Sequence, residues 1–179
     1  MKKYIIGILV VLLVISISGC ITDNNNSKDN STNVQTISQN GVLVRFPADW
    51  VLAEAQSNDS VISIASSASL DSSKVAKVNV NVEKRALSGS FDTMINSTYT
   101  SLMSNSSNQL ISLGDIKVGD QDAKECIYTS TDNGEVKQHK AVWINQGSNV
   151  YVILCTAPQD QFDSQLKYFD YIINNIKIT

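Results

Sequence analysis

The chain has 179 residues with 14 basic and 17 acidic side chains, a net charge of −3, and three cysteines. Loss of Lys2 and Lys3 with residues 1–19 leaves 12 basic against 17 acidic side chains, a net charge of −5. That balance offers no basic patch to neutralise phosphates, so nucleic acid is not expected as a partner. Residues 34–179 have the length of one domain.

At the N-terminus, Met1-Lys2-Lys3 precedes fourteen uncharged residues, Tyr4 to Ile17, followed by Ser18-Gly19-Cys20. A bilayer-spanning helix takes about 20 apolar residues. A signal peptide has a basic start, a shorter apolar run and small residues at the cut, and residues 1–19 fit that description. Ile17-Ser18-Gly19-Cys20 also resembles the lipobox of prokaryotic lipoproteins, which implies lipid attachment at Cys20 and a new N-terminus there. The alternatives are an uncleaved transmembrane helix running past Cys20 and an unmodified secreted protein. All three place the remaining chain outside the cytoplasm, and the lipobox reading places it at the cell membrane, lipid-anchored on the extracytoplasmic face. Ile21 to Asn33 is polar and asparagine-rich. It cannot bury enough apolar surface to offset the entropy of ordering it, so residues 20–33 are read as lipidated cysteine plus disordered tether. Thirteen coil residues span roughly 20 Å root-mean-square, which keeps the folded part near the membrane.

From Val34 the pattern is that of strands. GVLVRFPADW puts Val42, Val44 and Phe46 on one face, stopped by Pro47 and Asp49, with Trp50 returning to the core. VLAEA and SVISIASSA read as two further strands. Val78, Val80 and Val82 alternate with Asn79, Asn81 and Glu83, the pattern of a half-exposed strand.

The period changes at Ser90, an N-cap, with Asp92 in the first helical turn and Phe91, Met94, Ile95, Thr98 and Leu102 at helical spacing. SNSSN ends that helix. A strand, an acidic turn and another strand follow; Asn133-Gly134 then makes a hairpin, and Gln146-Gly147 a second turn, so that three strands form a meander. The last helix is expected to start near Pro158, with Phe162, Leu166, Phe169, Ile173 and Ile176 as its apolar stripe, before a short closing edge strand.

These turns place position 126 opposite 141 and position 155 opposite 138. Cys126 and Cys155 then flank the middle strand of the meander, roughly 10 Å apart, on opposite faces. A disulfide needs Cα atoms within about 7 Å, so two free, buried thiols are expected. Five N-x-S/T sequons, at Asn25, Asn30, Asn58, Asn96 and Asn105, make glycosylation chemically possible outside the cytoplasm.

GVLVRFPADW resembles the opening motif of the PsbP-like family, a strand running into a Pro-x-x-Trp turn. VYVILCTAPQDQFDSQLKYFDYIINNIKI resembles its close, a strand ending in a Thr-Ala-Pro turn, then a Phe-bearing helix and a final strand. The family includes the extrinsic oxygen-evolving-complex subunit of photosystem II and many prokaryotic lipoproteins. The resemblance covers about Val34 to Thr179. It implies an α+β fold, an antiparallel β-sheet with helices on both faces as an α/β/α sandwich, and a noncatalytic binding or assembly module. No basic N-terminal extension and no recognisable metal ligands of plant members are present, so no functional residue carries over.

Catalysis would need a constellation. His139 is the lone histidine and lies in a predicted strand; with two dispersed cysteines it does not complete a zinc site. No G-x-S-x-G elbow, G-x-G-x-x-G or P-loop occurs. Asp115, Asp120 and Asp122 in GDIKVGDQD are the candidate metal ligands, though they lack the spacing of a calcium loop. Trp50, Trp143, Tyr128 and Tyr151 line either a groove or the core. The expectation is a noncatalytic, lipid-anchored module without cofactor that binds a membrane or envelope protein through an edge or face of its sheet. The alternatives are a small-ligand-binding lipoprotein serving a transporter and a hydrolase using His139.

Overall fold

The computed structural model describes residues 34–55, 57–73 and 75–178. The signal peptide, Cys20, the tether and the sequons at Asn25 and Asn30 lie outside the described residues. In chain order the elements are β1 (Val34–Gln39), β2 (Val42–Pro47), β3 (Trp50–Leu52), β4 (Ser60–Ser66), a short 3-10 turn (Ser67–Ser69) and β5 (Asn79–Ala86). Then come α1 (Phe91–Met103), β6 (Asn108–Val118), β7 (Gln121–Asp132), β8 (Glu135–Gln146), β9 (Asn149–Pro158), α2 (Phe162–Asn174) and β10 (Ile176–Ile178).

Seven strands form one antiparallel sheet in the order β3-β4-β5-β9-β8-β7-β6, and a second sheet has the order β1-β2-β10. Turn chemistry sets the long register. Asn133 and Gly134 take positive φ of 51° and 81°, the pair a tight right-twisted hairpin requires, and Asp132 stands opposite Glu135.

Successive residues of a strand point to opposite faces, and β8 divides the core accordingly. Val142 and Ile144 pack with Phe162, Phe169 and Ile172 of α2 and with Val42 and Val44 of β2. Ala141 and Trp143 pack instead with Ile95 and Tyr99 of α1. The helices therefore cover opposite faces of the large sheet, and the fold is the α+β sandwich expected.

Helix α1 starts where its cap allows: Ser90 Oγ accepts from the Thr93 amide at 3.2 Å, satisfying one of the donors a helix start leaves orphaned. Its buried residues are Ile95 and Tyr99, one turn apart. The Tyr99 hydroxyl accepts from Trp143 Nε1 at 2.6 Å, which lets a phenol occupy the helix–sheet interface.

Three expectations are corrected. Pro158 is the last residue of β9, opposite Lys137, rather than the first of a helix; a strand end tolerates a residue without an N–H, and α2 begins at Phe162. The α2 stripe uses Ile172 beside Ile173, while Ile176 belongs to β10. Finally, β5 is not half-exposed: Asn79, Asn81 and Glu83 are buried along with the valines between them.

Candidate functional site

Three regions bear on function: the buried polar row on the α1 face, the acidic turn, and the apolar residues left at the two edges of the large sheet. In the first, Asn81 and Glu83 of β5 lie opposite Leu154 and Val152 of β9, on the face that α1 shares. Ser63 Oγ donates to Asn81 Oδ1 at 2.6 Å, and Asn81 Nδ2 donates to Glu83 Oε1 at 3.1 Å. That oxygen also accepts from Ser57 Oγ at 2.8 Å, while the Arg85 guanidinium donates to Glu83 Oε2 through Nε at 3.0 Å. A buried carboxylate must have such partners. With both oxygens engaged, Glu83 organises the face and offers no free base.

His139 lies on the same face. Its Nε2 is hydrogen-bonded to Ser130 Oγ at 2.8 Å and its Nδ1 to Thr156 Oγ1 at 2.9 Å. Its ring stacks on Tyr128 with centroids 4.5 Å apart. Burial, reinforced by the positive charge of Lys137, pushes its pKa down to about 4. The imidazole is neutral near pH 7, one nitrogen donating and the other accepting. The Ser–His contact is one the sequence could not assign, since serines abound. Its third member, however, is a hydroxyl, which cannot balance an imidazolium as the carboxylate of a hydrolase triad does. Next in the row, Asn79 opposes Thr156; its Nδ2 donates to Ala76 O at 3.3 Å and its Oδ1 is buried without a partner.

The acidic turn does not converge. Asp115 on β6 accepts from Lys124 at 2.6 Å, Asp122 on β7 accepts from Lys117 at 2.7 Å, and Asp120 stands in the exposed turn between. These are cross-strand ion pairs, and among the described residues no group of three His, Cys, Asp or Glu side chains could hold a metal.

Cys126 and Cys155 are free and buried. Cys126 opposes Ala141 as expected, whereas Cys155 opposes Lys140 rather than 138. The central pair of that turn is Gly147-Ser148, with Gly147 at φ 65°, and the parity that sends the thiols to opposite faces is kept. Burial raises both thiols, Cys126 to about 11, so neither is nucleophilic at neutral pH. Trp50, Trp143, Tyr128 and Tyr151 are all core. Asn58, Asn96 and Asn105 are exposed.

Most of the large apolar side chains that the described residues expose lie at or beside the two edges of the large sheet. On β6, which among the described residues pairs with β7 alone, Leu110, Ile111 and Leu113 are 49%, 54% and 43% exposed, and Ile111 sits at a bulge. At the opposite edge Val51 and Leu52 of β3, with Leu70 and Val75, line an open groove of about 510 Å³. Sequence alternation hides both, because exposure at an edge depends on sheet order.

Among solved structures, that of cyanobacterial PsbP (CyanoP) from Synechocystis sp. PCC 6803 aligns with a TM-score of 0.62 and 12% identity, covering 87% of this chain and 98% of that one. LpqN of Mycobacterium tuberculosis, described as involved in cell envelope biogenesis, aligns with a TM-score of 0.58 and 17% identity over 84% of this chain and 92% of that one. At these identities the likeness is one of fold. No curated protein matches the chain significantly. The family described as PsbP-like protein matches residues 5–178, and by that match across nearly its whole length the chain belongs to the PsbP-like family.

Proposed function

We propose that this protein is a noncatalytic, membrane-anchored extracytoplasmic lipoprotein that serves as a binding or assembly module for a membrane or envelope protein. The observation that carries the reading is the free β6 edge. An edge strand presents a row of unpaired backbone donors and acceptors, and natural sheets usually blunt it with charge. Here Asn108 to Leu113 carries no charge and exposes three large apolar side chains, while Asp115 and Lys117 further along are engaged by Lys124 and Asp122 of β7. Such an edge can accept a partner's extended segment as an added strand, the backbone supplying affinity and Leu110 and Leu113 supplying selectivity.

Family membership supports the noncatalytic part of the reading, and LpqN's described involvement in envelope biogenesis fits the location. A ligand carrier would instead need an enclosed apolar pocket, and the grooves among the described residues face solvent. The test is cross-linking in intact cells from a photoreactive side chain placed at Leu113. A discrete adduct that disappears in the Ile111→Pro variant supports strand addition, because proline blocks ladder formation. Adducts unaffected by that variant, or a hydrolytic activity abolished by His139→Ala, would overturn the proposal.

A further inference from the structure

Five of the eight large apolar side chains that the described residues expose, Val34, Val51, Leu52, Leu70 and Val75, collect around one turn. Gln35 Nε2 donates to Ala48 O and Trp50 O, both at 2.9 Å, which fastens the beginning of β1 to the turn between β2 and β3. Ser67 donates to Asp49 O of the same turn through its amide and its hydroxyl, which brings the segment leading to Leu70 alongside. Asp71 Oδ1 accepts from the Val75 amide at 2.9 Å, folding Val75 back toward Leu70. The result is the 510 Å³ groove, whose lining joins the apolar Val51, Leu52, Leu70 and Val75 with Glu54 and Ser73. A second groove of about 250 Å³, lined by Val34, Pro47, Lys167, Tyr168 and Tyr171, adjoins the other side of the turn, where Trp50 and Tyr168 rings lie 6.4 Å apart.

The described residues begin here, at Val34. Thirteen residues, Ile21 to Asn33, separate it from Cys20, a reach of at most roughly 50 Å at full extension. A chain anchored at Cys20 therefore holds this end of the domain within reach of the lipid. The rim chemistry suits that neighbour: Tyr168 and Tyr171 are half-exposed with Lys167 above the Tyr168 ring at 4.7 Å. Tyrosine and lysine around an apolar centre is the composition of membrane–water interfaces, where the aromatic body enters the headgroup layer and the ammonium stays wet.

We propose that the β3 end of the domain docks on the lipid bilayer surface, with Val51, Leu52, Leu70 and Val75 entering the headgroup–acyl boundary and Lys167, Tyr168 and Tyr171 forming the rim. The occupant is lipid rather than protein because Val34, fourteen positions beyond Cys20, lines the smaller groove at this turn. Lipid is the one surface the anchor supplies at high local concentration. With a net charge of −5 beyond residue 19, docking rests on apolar burial, and anionic lipid opposes it by a repulsion that salt screens. The inference rests on the anchored reading above, and the experiment separates the two.

The full chain, purified from membranes of expressing cells, is reconstituted in phosphatidylcholine vesicles with an environment-sensitive fluorophore at Leu52→Cys, Val75→Cys or, for comparison, Leu113→Cys. Cys126 and Cys155 are buried and do not compete for the label. Flotation of the unlabelled chain against Cys20→Ser reads anchoring. Quenching by nitroxide-bearing lipid, read at saturating lipid for the parent and Cys20→Ser backgrounds alike, reads docking. Docking predicts that positions 52 and 75 are quenched by about half while 113 is quenched several-fold less, with a Leu52→Asp, Val75→Asp pair abolishing the difference without preventing flotation. Quenching equal at the three positions in both backgrounds overturns the proposal whatever flotation gives. Shielding of 52 and 75 that depends on protein concentration rather than lipid would assign the groove to a second copy and overturn it equally.

Discussion

His139 should make the domain acid-sensitive in a window that few other groups share. Its folded pKa is depressed from the ordinary 6.5 to about 4 because protonation would place a charge among Tyr128, Ser130 and Thr156 on a covered sheet face. For a base whose folded pKa is lowered, the stabilising contribution is complete above the unfolded value and is lost as pH falls from 6.5 toward 4. The full difference corresponds to about 3 kcal/mol at 1.36 kcal/mol per unit, and about 2 kcal/mol of it is spent by pH 5. The hydrogen bonds themselves are not the source, since both hydroxyls can accept from an imidazolium; desolvation is. Urea denaturation followed by circular dichroism at pH 7 and pH 5 measures the loss directly. In His139→Gln the denaturation midpoint can differ at pH 7, but the change between the two pH values should shrink by most of that 2 kcal/mol. Parallel pH dependence in the parent and His139→Gln would refute the burial argument.

Other consequences are more local. Phe169→Ala removes a fully buried ring that meets Trp50 at 6.3 Å and Phe162 at 5.6 Å and should cost about 3–5 kcal/mol in chemical denaturation. Arg85→Ala strips Glu83 of its cation and should cost about 3 kcal/mol, most of which Glu83→Gln in the same chain should restore because the uncompensated charge is gone. With Cys20 replaced by serine, the remaining thiols should be silent toward an aromatic disulfide reagent in the native state and titrate as two in denaturant; rapid native reaction would show that the sheet faces open.

The strand parity, the hairpin at Asn133-Gly134, the capped start of α1 and the burial of Val42, Val44 and Phe46 were legible in the sequence because each rests on neighbours within a few residues. Gln146-Gly147 shows where such reasoning slips. A glycine fits either central position of a two-residue turn, and moving it by one place shifts Cys155 from opposite 138 to opposite 140 without changing its face. Pro158 misleads for a related reason, since an imino acid is equally at home at a strand end and a helix start. Tyr99 stands one helical turn from Ile95, but its burial depends on Trp143, a partner for its hydroxyl that only the assembled sheet supplies. Asn79, Asn81 and Glu83 carried one available signal, two asparagines in a strand where β-propensity disfavours them, yet only the assembled sheet reveals what covers them. Neither the Ser130–His139–Thr156 contact nor the apolar edges could be read at all, because each depends on which strands become neighbours.

Sheet order gives those two edges a joint meaning. β3 and β6 are the first and last of seven strands, so six spacings of about 4.8 Å separate them, roughly 29 Å. Docking at the β3 end would hold β6 about that far above the lipid, beyond the reach of headgroups and within reach of the extracytoplasmic parts of a membrane protein. The orientation matters energetically. A lipid anchor by itself would not set the domain's orientation, and a strand-adding partner would then have to fix its rotation at an entropic cost on binding. A domain already seated on the bilayer has lost part of that freedom before the partner arrives. The same seating would also keep the exposed β6 edges of neighbouring copies pointing away from the lipid, so that two of them could pair only if a domain tilted off the bilayer. Membrane docking and partner recognition, as proposed, would thus be separable in residues, Leu52 and Val75 against Ile111 and Leu113, but coupled through the sheet between them.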